Sequence, residues 1–351
     1  MGETVLVTGG SGYVAGWCIA ELLKREYIVR ASLRSPGKEA AVRAVVAAAR
    51  GTAAATGPGG QLSFAVADLT SDDGWEAAAA GCDYVLHVAS PLGADGHASD
   101  LVGPAREGTL RVLRAAAEAG VKRVVLTSST GACTPVGPAA AKVADETVWT
   151  DTDSPEVNMY RRSKTLAEQA AWEFIEQNPG PMTLTSVLPA AVFGPVLGEV
   201  LPGTAEVLQR LLAGQFRGIP RLGFCIVDAR DLADLHLQAM TAPQAAGERF
   251  VAAGEFLWLA EIAQILRSRL GERGAQIPSR RMPSPILRAL AWFVPTLRTL
   301  TPLLDRELAF SSAKAQRLLG FAPRPAADTL SDCATSLLER GPEGTRANLS
   351  P

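Results

Sequence analysis

Short runs of apolar residues alternate with longer stretches of helical periodicity along the first half of the chain. The runs are rich in Val, Ile and Leu, which is typical of strands buried on both faces of a sheet. The sequence predicts strands at residues 4–8, 27–33, 62–66, 83–88, 121–127 and 182–188. It predicts helices between them at residues 13–25, 37–50, 72–80, 101–119 and 157–177. This alternation predicts an α/β fold built on a doubly wound parallel sheet.

The regular alternation ends near residue 189. Shorter apolar pieces and many prolines follow, with helices predicted at residues 204–213, 230–241, 258–269, 284–293 and 311–319. We therefore predict a sheet domain at residues 1–189, which the segment 225–241 rejoins. A smaller lobe at residues 190–224 and 242–340 is predicted to shape a substrate pocket, and the last dozen residues are predicted to fray.

Composition and charge narrow the classes of function. The chain has 351 residues, 47% of them hydrophobic, which is enough for a full globular core and argues against disorder. A net charge of −2 gives no electrostatic reason to expect nucleic acid or an anionic membrane as a partner. The expected partner is a small molecule, and the chain is expected to be a monomer or a homodimer.

The cysteines and histidines indicate a reducing compartment and argue against a zinc site. Five widely spaced cysteines and three histidines show no metal-ligand spacing, so we expect buried thiols and no metal. The N-terminus is predicted to be a strand rather than a targeting segment, which favours the cytoplasm. The apolar run 285–304 is predicted to form two amphipathic helices around Pro295, with membrane-surface contact as the alternative.

A glycine-rich turn separates the first predicted strand from the first helix. Gly9 permits a tight turn, Gly12 lets the backbone approach a pyrophosphate, and the small Ala15 lets the helix pack on the strand. The strand, the turn, the helix and a second strand about 20 residues further on are all present, as a dinucleotide-binding turn requires. The sheet domain is therefore predicted to be a nucleotide-binding Rossmann domain.

The end of the second predicted strand indicates the phosphate state of the cofactor. An acidic residue at this position binds a ribose 2′-hydroxyl group, but no acid follows the strand in this sequence. Arg34 is placed to bind a 2′-phosphate through its guanidinium fork, and Lys38 can add a point charge. The alternative is that both are solvated surface cations. The sequence favours NADP(H) over NAD(H).

Tyr160 and Lys164 lie four residues apart in a predicted helix, so they share one helical face. A tyrosine with a pKa near 10 is a poor acid or base at neutral pH. We expect a nearby ammonium group to favour the ionised tyrosine and so to lower its pKa. This spacing is common on helix surfaces, and it gains meaning only with a partner elsewhere in the chain.

That partner is Ser129, which follows a predicted buried strand. The carboxyl ends of strands are where an open α/β sheet binds its ligands. Ser129 can donate a hydrogen bond to a substrate carbonyl group while Tyr160 protonates it, and a bound nicotinamide can deliver hydride to the carbon. These three residues supply what carbonyl reduction needs.

From about residue 3 to 325 the chain resembles the extended short-chain dehydrogenase/reductases, in the branch of dihydroflavonol reductase, cinnamoyl-CoA reductase and microbial aldehyde or ketone reductases. The resemblance rests on the segments VTGGSGYVAGW (7–17), VRASLRS (29–35), ADLT (67–70), HVASP (87–91), LTSST (126–130), YRRSKTLAEQAAW (160–172), LPAAVFGP (188–195), IVDARDLADLH (226–236) and SSAKAQRLLGFAPRP (311–325). Of these, the segment that begins at Tyr160 is the most specific to the branch.

The resemblance implies roles for individual residues. The catalytic set would be Ser129, Tyr160 and Lys164, with Lys164 also binding the nicotinamide ribose. The residues implied in cofactor binding are Gly9, Gly12, Tyr13, Val14, Arg34, Lys38, Asp68, Leu69, Ala89, Ser90, Thr127, Tyr160, Lys164, Pro189 and Val192. Among these, Arg34 and Lys38 would bind the 2′-phosphate, Asp68 and Leu69 border the adenine, Ala89 and Ser90 line the cofactor, and Pro189 and Val192 face the nicotinamide.

The sequence departs from the family pattern at three points. Ala15 replaces the usual third glycine, and its methyl group is expected to be tolerated because this position packs rather than contacts phosphate. The asparagine often counted as a fourth catalytic residue has no match on the helix at 101–119. The Asn-Trp-Tyr signature of plant cinnamoyl-CoA reductases is absent before Tyr160, which disfavours that particular substrate.

Three functions compete. The leading hypothesis is an NADPH-dependent reductase of ketones or aldehydes. The second is a dehydrogenase of hydroxyl groups, as in hydroxysteroid dehydrogenases or sugar-nucleotide epimerases, which reuse the same three residues. The third is a non-catalytic NADP sensor, and such sensors typically lack the tyrosine and the lysine. An apolar pocket is expected for a bulky, largely uncharged carbonyl compound, lined by Pro91, Leu92, Val192, Phe193, Val196, Leu197, Phe216 and Phe224, with His97 as a possible contact.

Overall fold

The computed structural model describes residues 2–50, 61–91, 101–137, 143–292 and 301–340. The strands are β1 (Thr4–Val7), β2 (Ile28–Leu33), β3 (Leu62–Val66), β4 (Tyr84–His87), β5 (Arg123–Thr127), β6 (Val143–Ala144), β7 (Thr183–Pro189), β8 (Ala191–Phe193), β9 (Gly223–Asp228), β10 (Arg249–Ala252), β11 (Phe256–Trp258) and β12 (Ala309–Phe310). The helices are α1 (Tyr13–Lys24), α2 (Glu39–Arg50), α3 (Trp75–Ala79), α4 (Val102–Glu118), α5 (Met159–Gln177), α6 (Gly203–Leu212), α7 (Ala229–Thr241), α8 (Leu259–Leu270), α9 (Ser284–Leu290), α10 (Ala313–Leu319) and α11 (Ala326–Glu339).

The central sheet has seven strands in the order β10-β7-β5-β4-β1-β2-β3, and every neighbouring pair is parallel. The chain runs outward from β1 through β2 and β3, and then returns to β4 on the other side of β1. The strand order therefore reverses between β1 and β4, which is the position where doubly wound sheets bind their ligands. The predicted fold class is confirmed.

The seventh strand corrects the predicted count of six. β10 pairs with β7 through Val251 and Leu188, among other residues, and Phe250 is completely buried. The short run at residues 249–252 lies in a region where the regular alternation has already ended, so the sequence pattern did not indicate it.

The chain divides into two compact units. The first comprises residues 1–189, 230–252 and 311–322, and the second comprises 190–229, 253–310 and 323–351. These bounds correct the predicted ones. Residues 242–252 and 311–322 belong to the first unit because β10 completes its sheet and α10 contacts β10. Residues 225–229 belong to the second unit because β9 pairs with β8 and β11 there.

Helix α1 shows how the apolar pattern sets the packing. Five of its seven buried residues fall three and four positions apart, at Ala15, Cys18, Ile19, Leu22 and Leu23, so one side of the helix faces the sheet. Helix α5 begins after Asn158, whose side-chain oxygen accepts a hydrogen bond from the backbone N–H of Arg161 at 2.9 Å. This cap fixes the first turn of α5, which carries Tyr160.

All five cysteines are free and buried, as the sequence predicted. The run 285–304 was predicted to form two amphipathic helices. The first of them is α9. Residues 293–300 lie outside the described residues, and so do residues 341–351, where most of the predicted fraying falls. Within the described ranges, no helix has the length and apolar character needed to cross a membrane.

Gly74 tests the packing that holds the segment after β3. It has a φ of +85°, and a Cβ atom there would lie 2.1 Å from the carbonyl oxygen of Val66, whereas Gly81 has a φ of +71° and open space around it. We expect Gly81→Ala to lower the free energy of unfolding by roughly 1–2 kcal/mol through backbone strain alone. Gly74→Ala should lower it by about 1–3 kcal/mol more, because backbone must move.

Urea unfolding of the two variants and the unsubstituted protein measures the difference. Equal losses for Gly74→Ala and Gly81→Ala would show that the contact with Val66 relaxes without cost.

Candidate active site

The glycine-rich turn is held by a serine of the neighbouring strand. Gly9 has a φ of +67°, which favours glycine. Its backbone N–H donates to the hydroxyl oxygen of Ser32 at 3.1 Å, and the N–H of Gly10 donates to the carbonyl oxygen of Ser32 at 2.9 Å. Ser32 is buried at the end of β2 and was not among the predicted site residues. A polar residue inside an apolar strand, level with the turn, is the signal that points to it.

The turn leaves no room for side chains and presents backbone donors. A Cβ atom on Gly9 would lie 3.0 Å from the Cβ of Ala89, and one on Gly10 would lie 2.8 Å from the Cβ of Ala31. Helix α1 starts directly after Gly12, with Tyr13 and Val14 as its first two residues and no acidic residue in the first turn. The start of the helix therefore suits an anion such as a pyrophosphate.

The segment after β4 is anchored to the same turn. The backbone N–H of Ala89 donates to the hydroxyl oxygen of Thr8 at 3.0 Å, and that oxygen lies 2.8 Å from Nδ1 of His87. Because Thr8 accepts from Ala89, its own proton is available to His87. Burial, and to a smaller extent the charge of Lys164, lower the pKa of His87 to about 3, so His87 is neutral at pH 7. Ala89 and Ser90 are thus placed at the point where the strand order reverses.

Arg34 directly follows β2, Lys38 lies four residues further along the chain, and both are exposed. Asp68 follows β3, and its carboxylate accepts from the backbone N–H of Thr70 at 2.8 Å and from its hydroxyl group at 2.7 Å. These bonds, and to a lesser degree the charge of Arg34, lower the pKa of Asp68. Leu69 packs against Gly108 of α4, where a Cβ atom would lie 2.8 Å from the Cβ of Leu69. The structure therefore brings Arg34 and Asp68 to the same end of the candidate site.

Ser129 is oriented by the backbone that follows β5. Its hydroxyl oxygen accepts a hydrogen bond from the N–H of Gly131 at 3.0 Å, so it caps the short 3₁₀ helix at residues 130–132. The hydroxyl proton remains available for another acceptor. Tyr160 is 38% exposed as a residue, and its hydroxyl group hydrogen-bonds with Ser129. Two of the three predicted catalytic residues are thus in contact.

Lys164 lies on the buried side of α5. Its Nζ donates to the backbone carbonyl oxygen of Thr127 at 3.1 Å, and the residue is 9% exposed. Burial lowers its pKa to about 8, and the negative charge of Glu168 partly opposes that shift. Lys164 is therefore mostly protonated at neutral pH and loses its proton under mildly alkaline conditions.

The expectation that Lys164 lowers the pKa of Tyr160 is not met. Burial raises the pKa of Tyr160, and the hydrogen bond with Ser129 lowers it to a smaller extent. The ammonium group of Lys164 donates a hydrogen bond to the carbonyl oxygen of Thr127. In this structure Tyr160 is consequently protonated at neutral pH.

Thr127, Pro189 and Val192 were predicted to contact the cofactor. The hydroxyl oxygen of Thr127 lies 2.7 Å from Nε2 of His236, whose Nδ1 lies 2.8 Å from the carbonyl oxygen of Leu232. Because only an N–H can pair with that carbonyl, Nε2 accepts from Thr127. Pro189 is buried at the end of β7 in the first unit, and Val192 is half-buried in β8 of the second.

The structure corrects part of the predicted pocket. Phe193 is 1% exposed and Val196 is 4% exposed, so their side chains belong to the interior of the second unit rather than to a ligand-accessible surface. Pro91, Val192, Leu197, Phe216 and Phe224 are half-buried. Leu92 and His97 lie outside the described residues.

Across the described part of the chain, no cluster of three or more His, Cys, Asp or Glu side chains is arranged to bind a metal ion.

The family model for the NAD-dependent epimerase/dehydratase family matches residues 5–253. This match covers well over half of the chain. The chain belongs to the NAD-dependent epimerase/dehydratase family. The predicted membership of the extended short-chain dehydrogenase/reductases is therefore confirmed.

Within the family the chain is similar to reductases. It is 35% identical to cinnamoyl-CoA reductase CAD2 of Medicago truncatula over 274 residues, which cover 76% of this chain and 81% of that protein. It is 31% identical to tetraketide alpha-pyrone reductase 1 of Arabidopsis thaliana over 346 residues, which cover 96% of both. The predicted class of oxidoreductase is confirmed.

Solved structures of the family show the same fold. The crystal structure of the yeast methylglyoxal/isovaleraldehyde reductase Gre2, complexed with NADPH, matches with a TM-score of 0.78 and 26% identity. That match covers 96% of this chain and 98% of the Gre2 chain. Vestitone reductase from alfalfa matches with a TM-score of 0.71 and 25% identity, covering 96% and 99% of the two chains.

The two buried histidines predict how stability depends on pH. Burial lowers the pKa of His87 to about 3 and that of His236 to about 4, from an ordinary value of 6.5. Their contribution is complete above pH 6.5 and is lost as the pH falls below it, because the unfolded chain then binds protons that the folded chain does not. Between pH 6.5 and 5 each histidine should cost about 2 kcal/mol of unfolding free energy.

Urea unfolding at pH 7, 6 and 5, with His236→Gln as the comparison, measures this slope. The variant should lose stability less steeply on acidification than the unsubstituted protein. Parallel slopes would mean that His236 is already protonated in the folded state.

Proposed function

We propose that this chain is an NADPH-dependent carbonyl reductase that acts on bulky, largely uncharged ketones or aldehydes. The observation that carries the proposal is the contact between Ser129 and Tyr160 at the carboxyl edge of the sheet, with Lys164 one helical turn further along α5. NADPH in Gre2 and the reductase activities of the relatives support the proposal.

The chain's own residues account for the proton transfer. Bound NADPH supplies the hydride for the carbonyl carbon. Ser129 keeps its hydroxyl proton available, since its oxygen accepts from Gly131, and so donates a hydrogen bond to the carbonyl oxygen. Tyr160 is protonated at neutral pH and gives its proton to the oxygen as negative charge develops there. Lys164 then stabilises the resulting tyrosinate and binds the ribose hydroxyl groups through its ammonium group.

The geometry of the turn and the resemblance to the family support a set of cofactor-binding residues. The backbone N–H groups at the start of α1, after Gly9 and Gly12, bind the pyrophosphate. Ala89 and Ser90 line the cofactor next to them, and Thr127 contributes through its backbone. By the family resemblance, Asp68 and Leu69 would border the adenine, and Pro189 and Val192 would face the nicotinamide.

Arg34 and Lys38 are proposed to bind the 2′-phosphate. Both are exposed and cationic, so their donors are accessible to a phosphate. Asp68, which faces the charge of Arg34, is held by Thr70 instead.

Removal of Arg34 tests the preference for NADPH. A lost charge-assisted fork costs ~1.5–3 kcal/mol, so Arg34→Ala should weaken NADPH binding by roughly ten- to a hundredfold and leave NADH binding nearly unchanged. Isothermal titration of both cofactors into both proteins measures this. Arg50→Ala, which removes the same charge at the far end of α2, is the matched control and should affect neither cofactor. Equal losses for NADPH and NADH would show that Arg34 does not bind the phosphate.

Tyr160→Phe tests the proton donor. The ring keeps its packing, so folding and cofactor affinity should survive, while single-turnover hydride transfer should fall by ~10²–10⁴-fold. Ser129→Ala should act mainly on turnover, and Lys164→Ala should reduce both turnover and NADPH binding. Retention of more than about a tenth of the rate in Tyr160→Phe would contradict the mechanism and favour a non-catalytic sensor.

A screen of NADPH oxidation across aryl ketones, β-ketoesters, aldehydes, flavanonols and cinnamoyl-CoA tests the substrate class. We expect activity on the uncharged carbonyl compounds. The similarity to cinnamoyl-CoA reductases makes the thioester the second candidate, although the Asn-Trp-Tyr signature is absent before Tyr160. Activity on the thioester alone would overturn the proposed substrate class.

A further inference from the structure

A buried carboxylate lies one helical turn beyond Lys164. The side chain of Glu168 has no solvent exposure, and both of its oxygens accept hydrogen bonds. Oε2 accepts from the hydroxyl group of Ser128 at 2.6 Å and from Nη2 of Arg249 at 3.2 Å. Oε1 accepts from the hydroxyl group of Ser186 at 2.5 Å and from Nε of Arg249 at 2.8 Å. Nε1 of Trp172 also donates to Oε1, at 3.5 Å. These five hydrogen bonds suit a negatively charged carboxylate that is fully satisfied away from water.

Arg249 extends the same network to a further segment. Its Nη1 donates to the backbone carbonyl oxygens of Glu146 at 2.5 Å and Val148 at 3.0 Å. Its guanidinium group also stacks over the ring of Trp149 at 3.6 Å from the ring centre. The Glu168–Arg249 pair thereby joins α5, the residue that follows β5, the middle of β7, β10 and the segment at residues 146–149.

The hydrogen-bond network around Glu168 adjoins two residues of the proposed catalytic set, Ser129 and Lys164. Ser128, which donates to Glu168, is the residue before Ser129, and Glu168 follows Lys164 at the spacing that places both on one helical face. Lys164 and Glu168 also line one small cavity of about 10 Å³ with Ser90, Thr109 and Ser128. Loss of the carboxylate would therefore alter the surroundings of Lys164 and the anchoring of Ser129 together.

The other groups around Lys164 carry no negative charge at neutral pH. His87 faces it from β4 and His236 lies behind Thr127, and both are neutral there because burial lowers their pKa values to about 3 and about 4. Tyr160 is protonated. From the segments 89–91 and 126–128 and from α4, the side chains that line the cavity beside Lys164 are neutral.

Two further ionisable groups face the carboxylate rather than the lysine. Cys133 is neutral at pH 7, because burial raises the pKa of its thiol to about 12. The charge of Arg249 lowers that pKa and the charges of Glu168 and Glu146 raise it, each to a smaller extent than burial. Burial raises the pKa of Glu146, whose backbone rather than side chain contacts Arg249. Among the described residues that face Lys164, Glu168 is thus the anion, and Arg249 is the cation that offsets it.

We propose that Glu168 and Arg249 are positioning residues for the reaction: Glu168 keeps Lys164 protonated at neutral pH and holds Ser128 beside α5, while Arg249 limits the strength of that effect. This inference rests on the proposed reductase function. It assigns Glu168 a role that acts through Lys164 and Ser129, without contact to substrate.

The protonation of Lys164 can be measured without any catalysis. The chain has six lysines, so selective ¹³C labelling of lysine Cε gives few NMR signals, and Lys164→Arg identifies the one of interest. Glu168→Gln removes the charge with little change of size, and the pKa of Lys164 should fall by about one pH unit. Ser186→Ala removes one hydrogen bond to Glu168 without changing charge, and should leave that pKa within about 0.3 units.

A double variant separates charge from packing. Glu168→Gln alone leaves the buried Arg249 without a counter-ion and destabilises the protein. In Glu168→Gln/Arg249→Met both charges are removed, so the pKa of Lys164 should rise again toward its original value. A role in packing alone predicts no such recovery. If neither variant changes the pKa of Lys164 relative to the unsubstituted protein, the proposed coupling is overturned.

The kinetic measurement ties the coupling to the reaction. With a carbonyl substrate from the screen, the alkaline limb of the single-turnover rate should move to lower pH in Glu168→Gln and move back in the double variant, following the NMR pKa values. A limb that stays fixed while the NMR pKa shifts would overturn the role in the reaction. A complete lack of reductase activity would contradict the proposed function and leave the NMR result to decide the coupling.

Discussion

Parallel pairing of the seven central strands places all of their carboxyl ends at one edge, and the candidate site depends on this constraint. The turn after β1, the segment after β4, Ser129 after β5 and Pro189 at the end of β7 come from distant parts of the sequence. The sheet brings them together at this edge, and the hydrogen bond from Ala89 to Thr8 also joins the segment after β4 to the turn after β1. Helix α5 then needs only to pack against this edge for Tyr160 to reach Ser129.

Burial of Lys164 is the electrostatic cost of that arrangement. An ammonium group removed from water loses solvation, and the fall of its pKa to about 8 measures part of that loss. The carbonyl oxygen of Thr127 and the charge of Glu168 offset it. Because Glu168 is itself buried, it requires Arg249 in turn. Lys164, Glu168 and Arg249 thus form one connected set of buried charges, which extends to the segment beside Trp149.

The sequence predicted the strands and helices of the first unit closely, since buried parallel strands and amphipathic helices such as α1 have strong patterns. Contacts made by a single polar side chain leave a weaker pattern in the sequence than strands and helices do. Ser32, Thr8 and Glu168 each lie within a segment that was read correctly, yet their partners are 23, 79 and 81 residues away along the chain. β10 was missed for a related reason. Its four residues are recognisable as a strand only once β7 lies beside them.

The state of Tyr160 bears on the direction of the reaction. An oxidation of a hydroxyl group needs the tyrosinate as a base, whereas a reduction needs the protonated tyrosine as an acid. Burial disfavours the charged form of Tyr160 and so raises its pKa. Tyr160 is therefore protonated at neutral pH before any substrate binds. The protonated form of Tyr160 is the one that a reduction requires.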